Sequence, residues 1–124
     1  MPDSTFPKTC RLRNTTEFRR CYDGLRAGDD HLLLFAAHNT VGVARAGVSV
    51  SKKHGNAVAR NRRKRLLREA FRQHRLSVPQ HVDFVLVPRQ RKDSTLRDYA
   101  ASFRRLSLRL LKKIEKQSSG ESNS

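Results

Sequence analysis

Cationic side chains crowd one short segment, since six of the nine positions from 60 to 68 carry Lys or Arg. Their mutual repulsion disfavours an isolated helix, so packing or a partner must hold the segment. On a helical wheel its side chains divide into two arcs. The apolar arc consists of Ala59, Leu66, Leu67, Ala70 and Phe71. The polar arc consists of Asn61, Lys64, Arg65, Arg68 and Arg72. The spacing predicts a helix over 57–74 that buries one face on a sheet and presents cations on another.

The whole chain shares this excess of positive charge. Its 124 residues include 27 Lys and Arg against 11 Asp and Glu, a formal net charge of +16. Such a surface repels itself, and a polyphosphate backbone neutralises it with release of counterions. We therefore expect a nucleic-acid partner. No uncharged run approaches the ~20 apolar residues of a membrane span, and we expect no secretion signal.

Cysteine usage favours a reducing compartment. Cys10 and Cys21 lie eleven positions apart, without a CxxC motif or a His at metal-ligand spacing. This arrangement indicates neither a zinc site nor a disulfide framework. We therefore expect two free thiols and a cytoplasmic protein.

Apolar spacing and capping residues predict elements in the first half of the chain. Asn14 and Glu17 have the spacing of a capping pair. The apolar residues Phe18, Cys21, Tyr22 and Leu25 recur at helical spacing and predict a helix that ends near Gly24. Short apolar runs then predict two strands, over 32–37 and 47–51.

The second half repeats this kind of evidence. Asn56 is a suitable N-cap for the cationic helix. The run 82–87 is apolar at nearly every position, as in a strand buried on both faces. Thr95 and Asp98 have the spacing of a capping box at the start of a long amphipathic helix.

The order helix, strand, strand, helix, strand, helix predicts an α+β fold, a small two-layer sandwich of helices on a sheet. We expect a single RNA-binding domain over residues 10–116. A flexible N-terminal segment, 1–9, and a flexible C-terminal tail, 117–124, would flank it, since both ends lack periodicity and are rich in Pro or Ser.

The cationic helix carries the side chains that RNA binding uses. Arg grips phosphate oxygens with a planar fork, and Asn61 adds a donor and an acceptor for a base edge or a 2′-hydroxyl. Phe18, Tyr22 and Phe35 are candidate platforms for stacked bases. Phe18 and Tyr22 also have the helical spacing of core residues, and composition alone does not separate the two roles.

Autonomous nuclease chemistry is not indicated. A metal-dependent nuclease needs clustered carboxylates or His around two divalent ions. The acids here are scattered, and the five His residues form no HxH or HxxxH pattern. His54, beside the basic segment, is interpreted as a lone exposed histidine. We expect no catalytic residue, and no metal or cofactor bound by the protein alone.

Residues 51–69 resemble the signature of the bacterial ribonuclease P protein family, S-K-K-x-G-N-A-V-x-R-N-R-x-K-R-x-x-R-E. Every defined position of the pattern is matched, including the Ser-Lys-Lys that precedes the Gly-Asn turn. Leu12, Arg13 and Phe18 are similar to the opening of that family. The resemblance implies a ribosomal protein S5 domain 2-like fold with a left-handed strand-helix-strand crossover.

The resemblance also implies a function. In that family a small protein joins a catalytic RNA, and the holoenzyme removes the 5′ leader of precursor tRNA by hydrolysis at magnesium ions held by the RNA. Expected partners are the catalytic RNA subunit and precursor tRNA with its leader, with one protein monomer per RNA. The residues expected to contact the catalytic RNA are Arg60, Asn61, Arg62, Lys64, Arg65 and Arg68. Those expected at the leader cleft are Phe18, Tyr22, Phe35, Lys52 and Lys53. Tyr22 stands where the family frequently has Phe, a change that preserves stacking.

Two other functions stay open. A ribosomal or ribosome-associated RNA-binding protein would use the same basic face on a small α+β domain. An autonomous nuclease is the third class. Cleavage of precursor tRNA by the protein together with a ribonuclease P RNA, far better than by either alone at low magnesium, separates the three.

Overall fold

A computed structural model describes the backbone of residues 8–91 and 93–122, and the side chains of residues 9–91 and 93–114. Three helices and four strands make up this part of the chain. The helices are α1 (Thr15–Tyr22), α2 (Ala57–His74) and α3 (Leu96–Ser122). The strands are β1 (Leu25–Gly28), β2 (Leu32–His38), β3 (Arg45–Val48) and β4 (Val82–Pro88). The predicted α+β class is confirmed.

The strands form one sheet in the order β1-β2-β4-β3. β1 pairs antiparallel with β2, and β2 pairs antiparallel with β4. β3 pairs parallel with β4, with α2 connecting the two. This β3-α2-β4 unit is a strand-helix-strand crossover between parallel strands, an arrangement that the family resemblance implies.

Alternation along the strands divides the core between the two faces of the sheet. Leu34 and Phe84 point to one face, where they pack with Phe71 of α2 and Phe103 of α3 in a single buried cluster. Val85 points to the opposite face, which α1 covers. β4 is therefore buried on both faces, as the apolar run predicted. Helices α2 and α3 form one layer, and the short α1 lies on the other side of the sheet.

All three predicted helix starts are confirmed. The Asn14 side chain accepts from the Glu17 N–H at 2.9 Å, and Glu17 Oε1 accepts from the Asn14 N–H at 3.3 Å. A further N–H donation from Arg13 lowers the pKa of Glu17. Asn56 caps α2, and Thr95 with Asp98 forms the capping box of α3.

Two strand predictions are corrected. β1 was missed, because Leu25 was counted in the helical stripe although α1 ends at Tyr22. β3 begins at Arg45 and ends at Val48, so it only partly overlaps the predicted 47–51. Both strands are placed by contacts with strands distant in the sequence. Just before β1, Gly24 lies so close to β2 that a Cβ on it would be 2.3 Å from the Ala36 carbonyl oxygen. At the start of β3, Arg45 binds Asp83 of β4.

The predicted segments at the two ends of the domain lie partly outside the described residues. Most of the segment 1–9 and the last two residues of the tail 117–124 lie outside the described residues. A 3-10 turn spans Lys8–Cys10. At the other end α3 continues to Ser122, past the predicted domain boundary at residue 116.

The turn between β1 and β2 is held by Asp29. Its Oδ1 accepts from the N–H groups of His31 and Leu32, each at 2.9 Å, and Arg105 of α3 donates to its Oδ2. Burial alone would raise the pKa of Asp29, but the Ser102 hydroxyl, these N–H groups and Arg105 lower it to about 2. The ionised carboxylate therefore fastens the hairpin to α3.

Candidate RNA-binding surfaces

The cationic face of α2 lies opposite its buried face, as the helical wheel predicted. Leu67, Ala70 and Phe71 are fully buried against the sheet and α3. On the opposite side, the exposed candidates are Asn61, Arg62, Arg65 and Arg68. Lys64 is half-buried at the flank of this face, whereas Arg60, half-buried and seven positions before Leu67, lies toward the core side. The helix thus presents guanidinium groups and one amide to solvent from a rigid backbone.

Arg63 belongs to the core side of α2. Its Nη1 donates to the Tyr99 hydroxyl of α3 at 2.9 Å, and its Nη2 donates to the Arg91 carbonyl oxygen. Arg72, near the end of the helix, forms an ion pair with Glu69. These two side chains are therefore engaged within the protein and are less available to an external anion than their neighbours.

Arg68 and Arg60 lie in surroundings that an anion would improve. Burial lowers the pKa of Arg68, and the nearby positive charge of Arg11 lowers it further. Arg60 Nε is buried and has no hydrogen-bond partner within the described residues. A buried N–H without an acceptor costs about 1–3 kcal/mol, so an acceptor brought by a ligand would relieve that cost.

The turn before α2 positions Lys52 and Lys53. Both are exposed on a 3-10 turn, whereas His54 next to them is buried. His54 Nδ1 accepts from the Ser51 N–H at 3.0 Å, and its Nε2 lies 2.8 Å from the Pro88 carbonyl oxygen. These partners suit a neutral imidazole with the proton on Nε2. The interpretation of His54 as exposed is wrong, because the side chain is buried. Its ring instead holds the turn against the end of β4.

The three candidate aromatic residues lie on the side of the sheet that α1 covers. Phe18 lies against Gly47 of β3 so closely that a Cβ on Gly47 would come within 2.4 Å of its ring. Tyr22 and Phe35 form an edge-to-face pair with ring centroids 4.9 Å apart. Tyr22 is 42% exposed, whereas Phe18 and Phe35 are half-buried. The site therefore combines two half-buried rings with one accessible ring.

An ionic cluster that sequence reasoning missed fixes α1 on the sheet. Asp83 of β4 is fully buried, and both its oxygens accept from Arg45 of β3 at 2.8 Å. Arg20 of α1 pairs with the same carboxylate, and Asn39 donates to it at 2.8 Å. The hydrogen bonds to Asp83 raise the pKa of Arg45. A single Asp inside the apolar run 82–87 was the available signal.

Comparison with known proteins decides the family. Residues 6–115 match the family model described as Ribonuclease P. The chain belongs to the ribonuclease P protein family. It is 40% identical over 119 residues to the ribonuclease P protein component of Desulfovibrio desulfuricans, covering 94% of this chain and 91% of that protein. The resemblance found at residues 51–69 is therefore confirmed, and the chain is a component of the ribonucleoprotein that processes tRNA.

Solved structures of ribonuclease P proteins share the fold. The Staphylococcus aureus protein superimposes with a TM-score of 0.71 at 33% identity, covering 85% of this chain and 97% of that one. The Thermotoga maritima protein gives a TM-score of 0.72 at 26% identity, covering 80% and 96%. The mixed sheet and its three helices are thus the fold of ribonuclease P proteins.

Within this ribonuclease P protein the predicted residues fall on two separate surfaces. Four of the α2 candidates, Asn61, Arg62, Arg65 and Arg68, share the exposed side of that helix. The aromatic candidates lie on the α1 side of the sheet. Lys52 and Lys53 follow the end of β3, the strand whose Gly47 supports Phe18. No hydrogen bond or ring contact within residues 8–91 joins either Lys to the aromatic residues, so their place beside the cleft stays a prediction.

Proposed function

We propose that this chain is the protein subunit of a ribonucleoprotein in which a catalytic RNA removes the 5′ leader of precursor tRNA. The exposed face of α2 would bind the catalytic RNA. The cleft between α1 and the sheet would bind the single-stranded leader. Residues for the first role are Arg60, Asn61, Arg62, Lys64, Arg65 and Arg68. Residues for the second are Phe18, Tyr22, Phe35, Lys52 and Lys53.

One observation carries the proposal: two surfaces of different chemistry lie on opposite sides of a single sheet. The α2 surface is cationic, as a folded RNA with closely spaced phosphates requires. The α1 surface offers aromatic rings, of which Tyr22 is 42% exposed. A ring of this kind stacks on an unpaired base with about 1–3 kcal/mol and without sequence preference. A protein held between a catalytic RNA and a leader needs both surfaces.

The charges suggest how such a subunit assists the reaction. Catalytic RNA and precursor tRNA repel each other, and a protein with a net charge of +16 between them lowers that repulsion. Leader contacts exist only with the substrate, because mature tRNA has lost the leader. The protein would therefore favour binding of substrate over product and hold the strand in place near the scissile phosphate.

We assign the magnesium ions of the reaction to the RNA. Among the described residues, no group of three or more His, Cys, Asp or Glu is placed to hold a metal ion.

In the same part of the chain, no helix has the length and apolarity to cross a membrane. The proposal places the protein in the cytoplasm, where bacterial precursor tRNA is made.

Reconstitution tests the proposal. The purified protein is added to a bacterial ribonuclease P RNA at low magnesium, and cleavage of precursor tRNA is measured for the RNA alone, the protein alone and the mixture. We expect far faster cleavage in the mixture than in either single component. Equal rates with and without protein would contradict the proposal and favour a ribosomal RNA-binding protein. Cleavage by the protein alone would indicate an autonomous nuclease.

A further inference from the structure

A second basic face lies on α3. This helix carries as many Lys and Arg residues as α2, in addition to the apolar stripe that predicts it as a helix. Tyr99, Phe103, Leu106 and Leu110 of that stripe are fully buried. The opposite side is exposed along its whole described length. We define the α3 face as the exposed residues Arg97, Ala101, Arg104, Leu108, Arg109 and Lys112.

The described ion pairs leave out four cations of the α3 face. Within the described residues, no ion pair involves Arg97, Arg104, Arg109 or Lys112. The neighbouring Arg105 differs, because it pairs with Asp29. Like charges three or four positions apart on a helix destabilise it slightly. Arg109 and Lys112 have this spacing, so a repulsion between them remains that no ion pair within the described residues neutralises.

The α3 face continues the layer that contains α2. Both helices pack on the same face of the sheet, and Phe18 and Phe35 lie on the other. A depression of about 450 Å³ between the end of α2 and the start of α3 is lined by residues of both, including Gln73, Arg97 and Arg104. Along the helix axis Arg97 and Lys112 are about 22 Å apart. One extended polyanion can thus cover both helices without passing round the sheet edge.

We propose that the α3 face is a second phosphate-binding surface for the catalytic RNA, in addition to the α2 face. The proposal rests on the function proposed above. A folded RNA fits because the face offers separated cations and only one large apolar side chain, Leu108, which is 45% exposed. A membrane surface does not fit, because the apolar side of α3 is buried in the core. The leader does not fit, because its proposed cleft lies on the opposite side.

Binding of the catalytic RNA tests the proposal. Affinity and its salt dependence are measured for Arg104→Gln, Arg109→Gln and Lys112→Gln, singly and together. We expect each change to weaken binding about threefold and to reduce the log-log salt slope by about one unit. Arg26→Gln is the matched control, since it removes one exposed charge on β1, outside both helices. Circular dichroism checks that the variants keep the fold.

The outcomes separate this inference from the proposed function. If Arg65→Gln on α2 weakens RNA binding while the triple α3 variant matches Arg26→Gln, the second surface is overturned and the proposed function stands. If the α2 variant also has no effect and reconstitution fails, the proposed function itself is wrong. Weaker binding of precursor tRNA alone, with the catalytic RNA unaffected, would overturn the assignment of the partner.

Tethered cleavage gives a second, positional test on the holoenzyme. Leu108→Cys places one accessible thiol in the middle of the α3 face, because Cys10 and Cys21 are both buried. Burial also raises the pKa of Cys21 to about 12, which makes it a poor nucleophile. A hydroxyl-radical source attached at position 108 should cut the catalytic RNA at a discrete site, and the natural chain treated in the same way should not. An uncut catalytic RNA would refute the proposal.

Discussion

Replacing Asp83 by Asn should strongly destabilise the protein. The Asp83 side chain is fully buried and binds Arg45, Arg20 and Asn39. Asn keeps the shape of Asp but removes the charge, and its amide nitrogen is a donor where the guanidinium groups also donate. The variant therefore leaves the Arg45 guanidinium beside the sheet with only Glu17 as a counter-charge, while the apolar packing stays the same.

The size of the effect follows from how exposed the partners are. The Arg45 side chain is only 15% exposed, whereas that of Arg20 is 47% exposed and can turn to water. Removing one partner of a buried pair costs about 3–5 kcal/mol, and an exposed pair contributes about 0–1 kcal/mol. Arg45 dominates, since Glu17 at 3.2 Å neutralises it only in part. We expect a loss of about 3 kcal/mol, a large share of the roughly 5–15 kcal/mol of a small domain.

Urea unfolding at neutral pH, followed by circular dichroism, measures this loss. Asp93→Asn is the matched control, because Asp93 pairs with Arg91 but its side chain is 71% exposed. We expect the control to change the free energy of unfolding by less than about 1 kcal/mol. The double variant with Asp83→Asn and Arg45→Gln should lose less free energy of unfolding than the two single variants lose in sum. A loss below about 1 kcal/mol for Asp83→Asn would refute the reasoning.

Three further predictions concern the two surfaces and the hairpin. Arg65→Gln should weaken catalytic-RNA binding and lower the salt slope by about one unit; an unchanged slope in a salt titration excludes Arg65 as a phosphate ligand. Tyr22→Ala should weaken precursor tRNA binding to the holoenzyme by about 1–3 kcal/mol and leave mature tRNA unaffected; equal losses for both would exclude stacking on the leader. Asp29 stabilises the fold above pH 3.8 and loses that effect as pH falls toward 2, because its pKa is lowered from 3.8 to about 2. Asp29→Asn should therefore cost about 1–2 kcal/mol near neutral pH and flatten the acid limb of stability; an unchanged limb in unfolding experiments from pH 5 to 2 would contradict this.

Local signals explain what could be predicted from the sequence. The bounds of α2 match the prediction over 57–74, because both signals are local: Asn56 caps the helix directly before its first residue, and the apolar spacing lies within it. The start of α3 was predictable for the same reason, since Thr95 and Asp98 bond to each other. An apolar run was enough to find β4, because that strand is buried on both faces.

Long-range contacts explain what could not be predicted. β1 forms only by pairing with β2, and Leu25 continues the apolar spacing of α1, so no local signal marks the change from helix to strand. β3 is placed by its parallel pairing with β4, in the register Arg45↔Asp83. Such a register depends on residues far apart in the chain. The ionic cluster around Asp83 was missed for the same reason.

The division of labour among the cations is the part of the site that the sequence leaves open. A helical wheel separates core from surface, but it does not show which cations the protein already engages. Arg63 is held by Tyr99, and Arg72 is held by Glu69. Arg62, Arg65 and Arg68 have no acidic partner within the described residues, which is also true of four cations on the α3 face. We therefore expect the unpaired cations of both helices to make the phosphate contacts. Only these cations can bind a phosphate without first breaking an ion pair within the protein.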